Sequence, residues 1–153
     1  MAGICQIEAD SEVKCKPHKY FEMIKYSLLH LPTIYPEGYT DAQIIEGDGV
    51  SEGSVRLWKY ILPGTTEEEV VKCRTTKQDD KTMTLVLFVE EGSVHSRFKH
   101  IQVTVQVFPK GEGSLVKWII EFEKHHGEVP DPHMYLDLFH NLNLKMDAYA
   151  HKA

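Results

Sequence analysis

The chain has little of what most recognisable functions are built from. No apolar run approaches the ~20 residues that a membrane-spanning helix needs. The start, Met1-Ala2-Gly3-Ile4-Cys5, has neither the basic flank nor the apolar stretch of a secretory signal. Cysteine is scarce: Cys5, Cys15 and Cys73 make an odd count without CxxC spacing, which argues against a disulfide framework or a zinc site and for a reducing compartment. Positive charge is in the minority, 17 Lys and Arg against 23 Asp and Glu for a net charge of −6. With its lysines scattered among acids, the chain lacks the clustered basic face of a nucleic-acid binder. Covalent catalysis finds no footing either, because there is no Gly-x-Ser-x-Gly elbow and no cysteine has an adjacent histidine to activate it. These absences leave a soluble, cytoplasmic protein with no nucleic-acid partner and no membrane insertion.

What is present is a regular sequence pattern. At 153 residues the length fits one domain, 1–153, able to bury a core without staples. Residues 5–15 alternate, with Cys5, Ile7, Ala9, Ser11 and Val13 against Gln6, Glu8, Asp10, Glu12 and Lys14, as a half-buried strand does. Tyr20, Phe21, Ile24, Leu28 and Leu31 follow at helical spacing, and Pro32 and Pro36 cut that region into two short helices. Residues 42–46, 54–62, 67–76, 82–90, 100–108 and 116–123 then read as strands joined by short turns, so the sheet is antiparallel with one wet face and one covered face. The cover comes last. Asp131 is placed to cap a helix and Pro132 to occupy its first position. Tyr135, Leu138, Phe139, Leu142, Met146 and Tyr149 form one stripe along ~30 Å of helix at 1.5 Å per residue.

Polar features offer few alternatives. The segment 47–53 is glycine-rich but lacks a Gly-Lys-Ser/Thr ending. It carries Asp48 and Glu52, which repel phosphate, and it leads into a strand where a phosphate loop leads into a helix. Nine histidines include no HExxH and no Cys/His cluster, so no metal is expected. His133, in the first turn of the last helix, and His95, between strands, are the histidines placed to serve as acid or base at a cavity mouth, with Tyr135 a phenolic donor beside them. Periodicity alone leaves two outcomes open for the apolar stripe: it packs tightly on the sheet, or it stands off and leaves a hollow.

Three segments carry a resemblance that bears on this choice: Phe108-Pro109-Lys110-Gly111-Glu112-Gly113-Ser114-Leu115-Val116-Lys117-Trp118, Val129-Pro130-Asp131-Pro132, and Glu46-Gly47-Asp48 through Gly53-Ser54-Val55 with Trp58 shortly after. In order and spacing the chain resembles the major latex protein branch of the plant birch-pollen-allergen (Bet v 1-like) superfamily. The resemblance implies an α+β, START-like helix-grip fold: a seven-stranded antiparallel sheet curved around a long C-terminal helix, two short helices beneath, and a large internal cavity. It implies a cavity-facing set of Ile7, Ala9, Leu31, Ile34, Leu85, Leu87, Ile101, Val103, Val105, Tyr135, Leu138, Phe139, Leu142 and Met146. His95, His133, Tyr135 and His140 stand where more ordinary residues are expected and would add polar handles to that cavity.

In that family the cavity takes up terpenoids, alkaloids, steroids and similar molecules, and some members are enzymes. The leading expectation is therefore a monomer or weak dimer that binds a hydrophobic or amphipathic plant small molecule, without a cofactor. The alternative is a cofactor-independent cyclase or isomerase of specialised metabolism that shields a reactive terpenoid or alkaloid intermediate. A weaker third reading is a plant-defence module acting through its surface. The lysine, tyrosine and acid arrangement of the family's condensing enzymes has no counterpart here.

Overall fold

Alternation of apolar and polar side chains along each strand puts one face of the sheet against the core, and the structure closes that face with helices. The computed structural model describes residues 3–151, and the side chains of Ser27 and Leu28, with the Leu28 step of the helical pattern, lie outside the description. The strands are β1 (Cys5–Val13), β2 (Tyr39–Glu46), β3 (Val55–Ile61), β4 (Glu68–Asp79), β5 (Thr84–Gly92), β6 (Phe98–Lys110) and β7 (Gly113–Lys124). They form one sheet in the order β1-β7-β6-β5-β4-β3-β2, antiparallel at every step. Register shifts fall in the β2–β3, β4–β5 and β6–β7 pairs, and bulges of this kind bend a strand and increase its twist. Where β7 starts beside the end of β1, a side chain at Gly113 would come within 2.2 Å of the Val13 carbonyl oxygen, so only glycine fits.

Between the two edge strands the chain forms α1 (Pro17–Ser27), a 3-10 turn at Leu28–His30 and α2 (Leu31–Ile34). The 18-residue helix α3 (His133–Ala150) ends the fold. No described helix is long and apolar enough to cross a membrane. Its buried face comprises Tyr135, Leu136, Leu138, Phe139, Leu142, Asn143 and Met146. The expected stripe holds through Met146 and fails at Tyr149, which is 46% exposed. By then the helix has passed the end of β1, where Asp147 meets Lys14 and Cys15.

The expected cap also differs. Asp131 makes no side-chain cap; its carboxylate pairs with Lys124 at 2.6 Å, and Pro132 stands at the helix boundary instead of in its first turn. An ammonium within contact is a stronger partner for a carboxylate than one backbone N–H. The His133 N–H is met by the Asp131 carbonyl at 2.8 Å instead.

Polar bonds fix where α3 lies. Asp147 accepts from the backbone N–H groups of Lys14 and Cys15 at 2.9 and 3.0 Å. One oxygen of the fully buried Asn143 accepts from the Tyr20 hydroxyl at 2.8 Å and the Trp118 indole at 3.0 Å. His140 bonds Ser11 at 2.9 Å. These contacts all reach β1, β7, α1 or the β1–α1 connection and tie the helix along one flank of the sheet, while Asn141 adds a bond to the Tyr35 hydroxyl just after α2 at 3.2 Å.

Candidate functional site

A helix tied along β1 and β7 spans the inner face of β3 to β6 with side chains that are apolar except at Tyr135, and there a void opens. Its wall takes Trp58 and Tyr60 from β3, Val71 and Cys73 from β4, Leu85, Leu87 and Val89 from β5, and Ile101, Val103 and Val105 from β6. Trp118 of β7 joins them, and α3 supplies Tyr135, Leu138, Phe139 and Leu142 opposite. Ile24, Leu31, Tyr39 and Val94 complete the lining.

The void is narrower than a large open cavity. The enclosed space measures about 70 Å³. Since one water needs ~10–15 Å³ by that measure, the crevice holds a few waters' worth of free space. Aromatic rings occupy the rest. Trp118 stacks on Phe139 with centroids 4.3 Å apart, and Tyr60 meets Tyr135 edge-on at 5.5 Å. Cys73, a free thiol in the wall, has its pKa pushed up to about 12 by burial, so it is an apolar surface and not a nucleophile.

Ten of the residues expected at the cavity line it: Leu31, Leu85, Leu87, Ile101, Val103, Val105, Tyr135, Leu138, Phe139 and Leu142. Four do not. Ile7 and Ala9 are partly buried against the core, and α3 lies over β1 there, so the void does not reach them. Ile34 and Met146 are buried in the packed core outside the void.

The histidine expectations need correcting. His133 points to solvent, with a 67% exposed side chain 3.9 Å from Asp131, because the first turn of α3 turns that position away from the sheet. His95 has both ring nitrogens against backbone carbonyls, Nδ1 to Phe98 at 3.1 Å and Nε2 to Val89 at 3.2 Å. It clamps a turn and keeps no free nitrogen for a substrate proton. His140 is exposed and bonds Ser11. Of the expected polar handles, Tyr135 reaches the void.

Its partner is Tyr60 of β3. The Tyr135 and Tyr60 hydroxyls hydrogen-bond each other at one end of the crevice. Burial pushes the Tyr135 phenol up to about 12, although its hydrogen bonds from Tyr60 and Arg97 work the other way. Tyr60 is also driven well above the ordinary phenol range by burial. Arg97 in turn pairs with Glu69 at 3.2 Å. The wall therefore presents protonated hydroxyls, able to donate to a carbonyl or hydroxyl but not to act as bases at neutral pH.

The glycine-rich segment is closed on itself. Asp48 accepts from the Val50 and Ser51 N–H groups and from the Ser51 and Ser54 hydroxyls at 2.6–2.9 Å. These bonds, the Ser51 hydroxyl's foremost, hold its carboxyl far below the usual range. Gly47, Gly49 and Gly53 supply the positive φ of 76°, 83° and 93° that the turn requires. With its donors spent on an internal carboxylate, the loop is not a phosphate cradle.

The model of the pathogenesis-related protein Bet v 1 family matches residues 2–153. The chain is 32% identical to major latex protein 146 of Papaver somniferum over 143 residues, 92% of this chain and 87% of that protein. It is 29% identical to MLP-like protein 423 of Arabidopsis thaliana, over 99% and 96% of the two chains. In three dimensions it resembles ginseng major latex-like protein 151 from Panax ginseng, with a TM-score of 0.89 and 27% identity over 95% of this chain and 97% of that one. Norcoclaurine synthase from Thalictrum flavum, solved with dopamine and hydroxybenzaldehyde, overlays with a TM-score of 0.74 over 99% and 90% of the chains. At 18% identity that likeness shows the fold alone.

Proposed function

The chain belongs to the Bet v 1 family, in its major latex protein branch, and on that premise we propose that it binds a hydrophobic or amphipathic plant small molecule between α3 and strands β3 to β6. One observation carries the reading. The void is walled almost wholly by apolar side chains, yet at one end Tyr60 and Tyr135 offer buried hydroxyls. A guest gains ~25 cal/mol per Å² of apolar area taken from water, while the hydroxyl pair orients a polar group.

The narrowness of the crevice sets a condition. A terpenoid- or steroid-sized guest exceeds the free space, so binding requires the Trp118, Phe139 and Tyr135 rings to turn or α3 to shift on its untied side. Free Cys5, Cys15 and Cys73 fit a cytosolic location.

The test is a titration with neutral lipophiles, a sterol and a monoterpene alcohol, followed by calorimetry and by the NMR shifts of the lining methyl groups. Saturable shifts confined to residues such as Leu87, Val103 and Leu138 are expected. Shifts spread over the outer surface, or none, would defeat the reading.

A second reading, the cofactor-independent cyclase or isomerase, is favoured by the same hydroxyl pair. Protonated phenols beside an apolar chamber can polarise a carbonyl while the walls fold the rest of the substrate. Under this reading Tyr135→Phe changes the product ratio from a reactive terpenoid intermediate without altering the affinity for inert lipophiles. An unchanged ratio leaves the carrier reading alone in place.

A further inference from the structure

Among the described residues, Arg56 is the largest side chain with no exposed surface, at 0%. Side chains two apart on a strand share a face, so Arg56 lies in one row with Trp58 and Tyr60 on the inner side of β3. Cys73 is its register partner on β4, and Thr75 is the next residue on that face. Trp58 and Cys73 line the crevice, and the guanidinium carbon is 5.3 Å from the centre of the Trp58 ring. Arg56 thus continues the lining row toward the glycine-loop end, opposite to Tyr60 and Tyr135.

Its hydrogen bonding is incomplete. Nη2 donates to the Thr75 hydroxyl at 3.1 Å, whereas Nε and Nη1 are buried without an acceptor. Among the described residues, the salt bridges that involve β2, β4 and β5 go to Lys72, Arg74 and Arg97, and none reaches Arg56. Asp48 acts on it only at a distance, with its oxygens engaged by Val50, Ser51 and Ser54. A guanidinium stays charged at neutral pH, and a buried charge without a partner is strongly unfavourable. The buried Lys25 ammonium, by contrast, is matched by Asp80 and Glu22.

We propose that Arg56 anchors the carboxylate of a guest whose apolar chain lies along the crevice, with the head group at the glycine-loop end. The proposal rests on the cavity reading above and adds the head-group chemistry and its orientation. A carboxylate fits better than a phosphate for two reasons. One negative charge balances the one cation, which no carboxylate among the described residues contacts, and a dianion would carry an excess that the Asp48 charge, felt at Arg56, disfavours. Nη1 and the second N–H of Nη2 also form the fork that matches two carboxylate oxygens.

The experiment compares decanoate, methyl decanoate and decan-1-ol by calorimetry at neutral pH, on the unaltered protein and on Arg56→Met. Decanoate is expected to bind about tenfold or more tighter than its ester, the effect of a hydrogen bond to a charged group. In Arg56→Met that preference vanishes while the ester's affinity stays. If the ester and alcohol bind but the acid has no advantage, or if its advantage survives in Arg56→Met, the anchor is refuted and the cavity reading stands. If none of the three binds, both fall. Should Arg56→Met fail to fold, decanoate labelled with ¹³C at the carboxyl decides the matter on the unaltered protein. Its bound titration midpoint drops by about one pH unit or more if a guanidinium holds it, and an unmoved midpoint overturns the proposal.

Discussion

The two sides of α3 are built on opposite plans. Toward β1, β7 and α1, its polar side chains Asp147, Asn143 and His140 each meet a named donor or acceptor. Toward β3 to β6, it presents Leu138, Phe139 and Leu142 to a void, with the Tyr135 hydroxyl bonded to Tyr60 at one end. Hydrogen bonds are directional and position an element without requiring close packing on its far side, whereas dispersion contacts do require it. The tied flank therefore fixes where the helix lies, and beyond the Tyr135–Tyr60 bond the apolar flank is free to stand off. That division lets one molecule keep both a determined fold and an unfilled interior.

The strongest way to break the contrast is to attack the tied flank. Trp118→Ala removes a ring stacked on Phe139 and a donor to Asn143, and is expected to destabilise by ~3–5 kcal/mol in urea or guanidinium unfolding. Asn143→Leu keeps the volume but strands the buried Tyr20 hydroxyl and Trp118 N–H. Unmet buried donors of this kind predict a loss of ~2–3 kcal/mol, part of which Tyr20→Phe in the same chain should restore. Asp147→Ala frees the N–H groups of Lys14 and Cys15 and should cost ~1 kcal/mol, like the loss of a helix cap, read as a lower melting temperature. A loss at Asp147 exceeding that at Trp118 would show that the flank is not held as described.

Much of this arrangement was legible in the residues. The alternation in β1, β6 and β7 and the stripe from Tyr135 to Met146 name their own inner faces. On β4, Val71, Cys73 and Thr75 alternate with Lys72, Arg74 and Thr76, so its inner face was readable too. β3 was not. Arg56, Trp58 and Tyr60 oppose Leu57, Lys59 and Ile61, and polarity alone would turn the arginine outward, whereas strand register decides the matter. The lateral position of α3 was equally hidden. Periodicity tells which face of a helix is covered but not which strands cover it, so Ile7 and Ala9 look as cavity-facing as Leu85 and Leu87. Pairs such as Asn143 with Tyr20, 123 positions apart, determine that position and carry no local signature. His95 and His133 misled for a related reason: a ring nitrogen's partner is a matter of three-dimensional neighbours, not of spacing.

The gentlest test enters from the hollow side. Leu87 is buried and lines the void, and Leu87→Phe adds a ring where a tightly packed core would be strained by ~1–3 kcal/mol. Here free space receives the added atoms, so the change in stability should stay below ~1 kcal/mol, because filling a void restores dispersion contacts. Binding should respond in the opposite sense, since the ring takes space that a guest needs: affinity for neutral lipophiles falls while the unfolding curve hardly moves. A variant as unstable as Trp118→Ala would mean that β5 is packed as tightly against α3 as β7 is. A stable variant with undiminished affinity would place the guest elsewhere. The expected pair, intact stability and weakened binding, is one that a uniformly packed helix and sheet cannot produce.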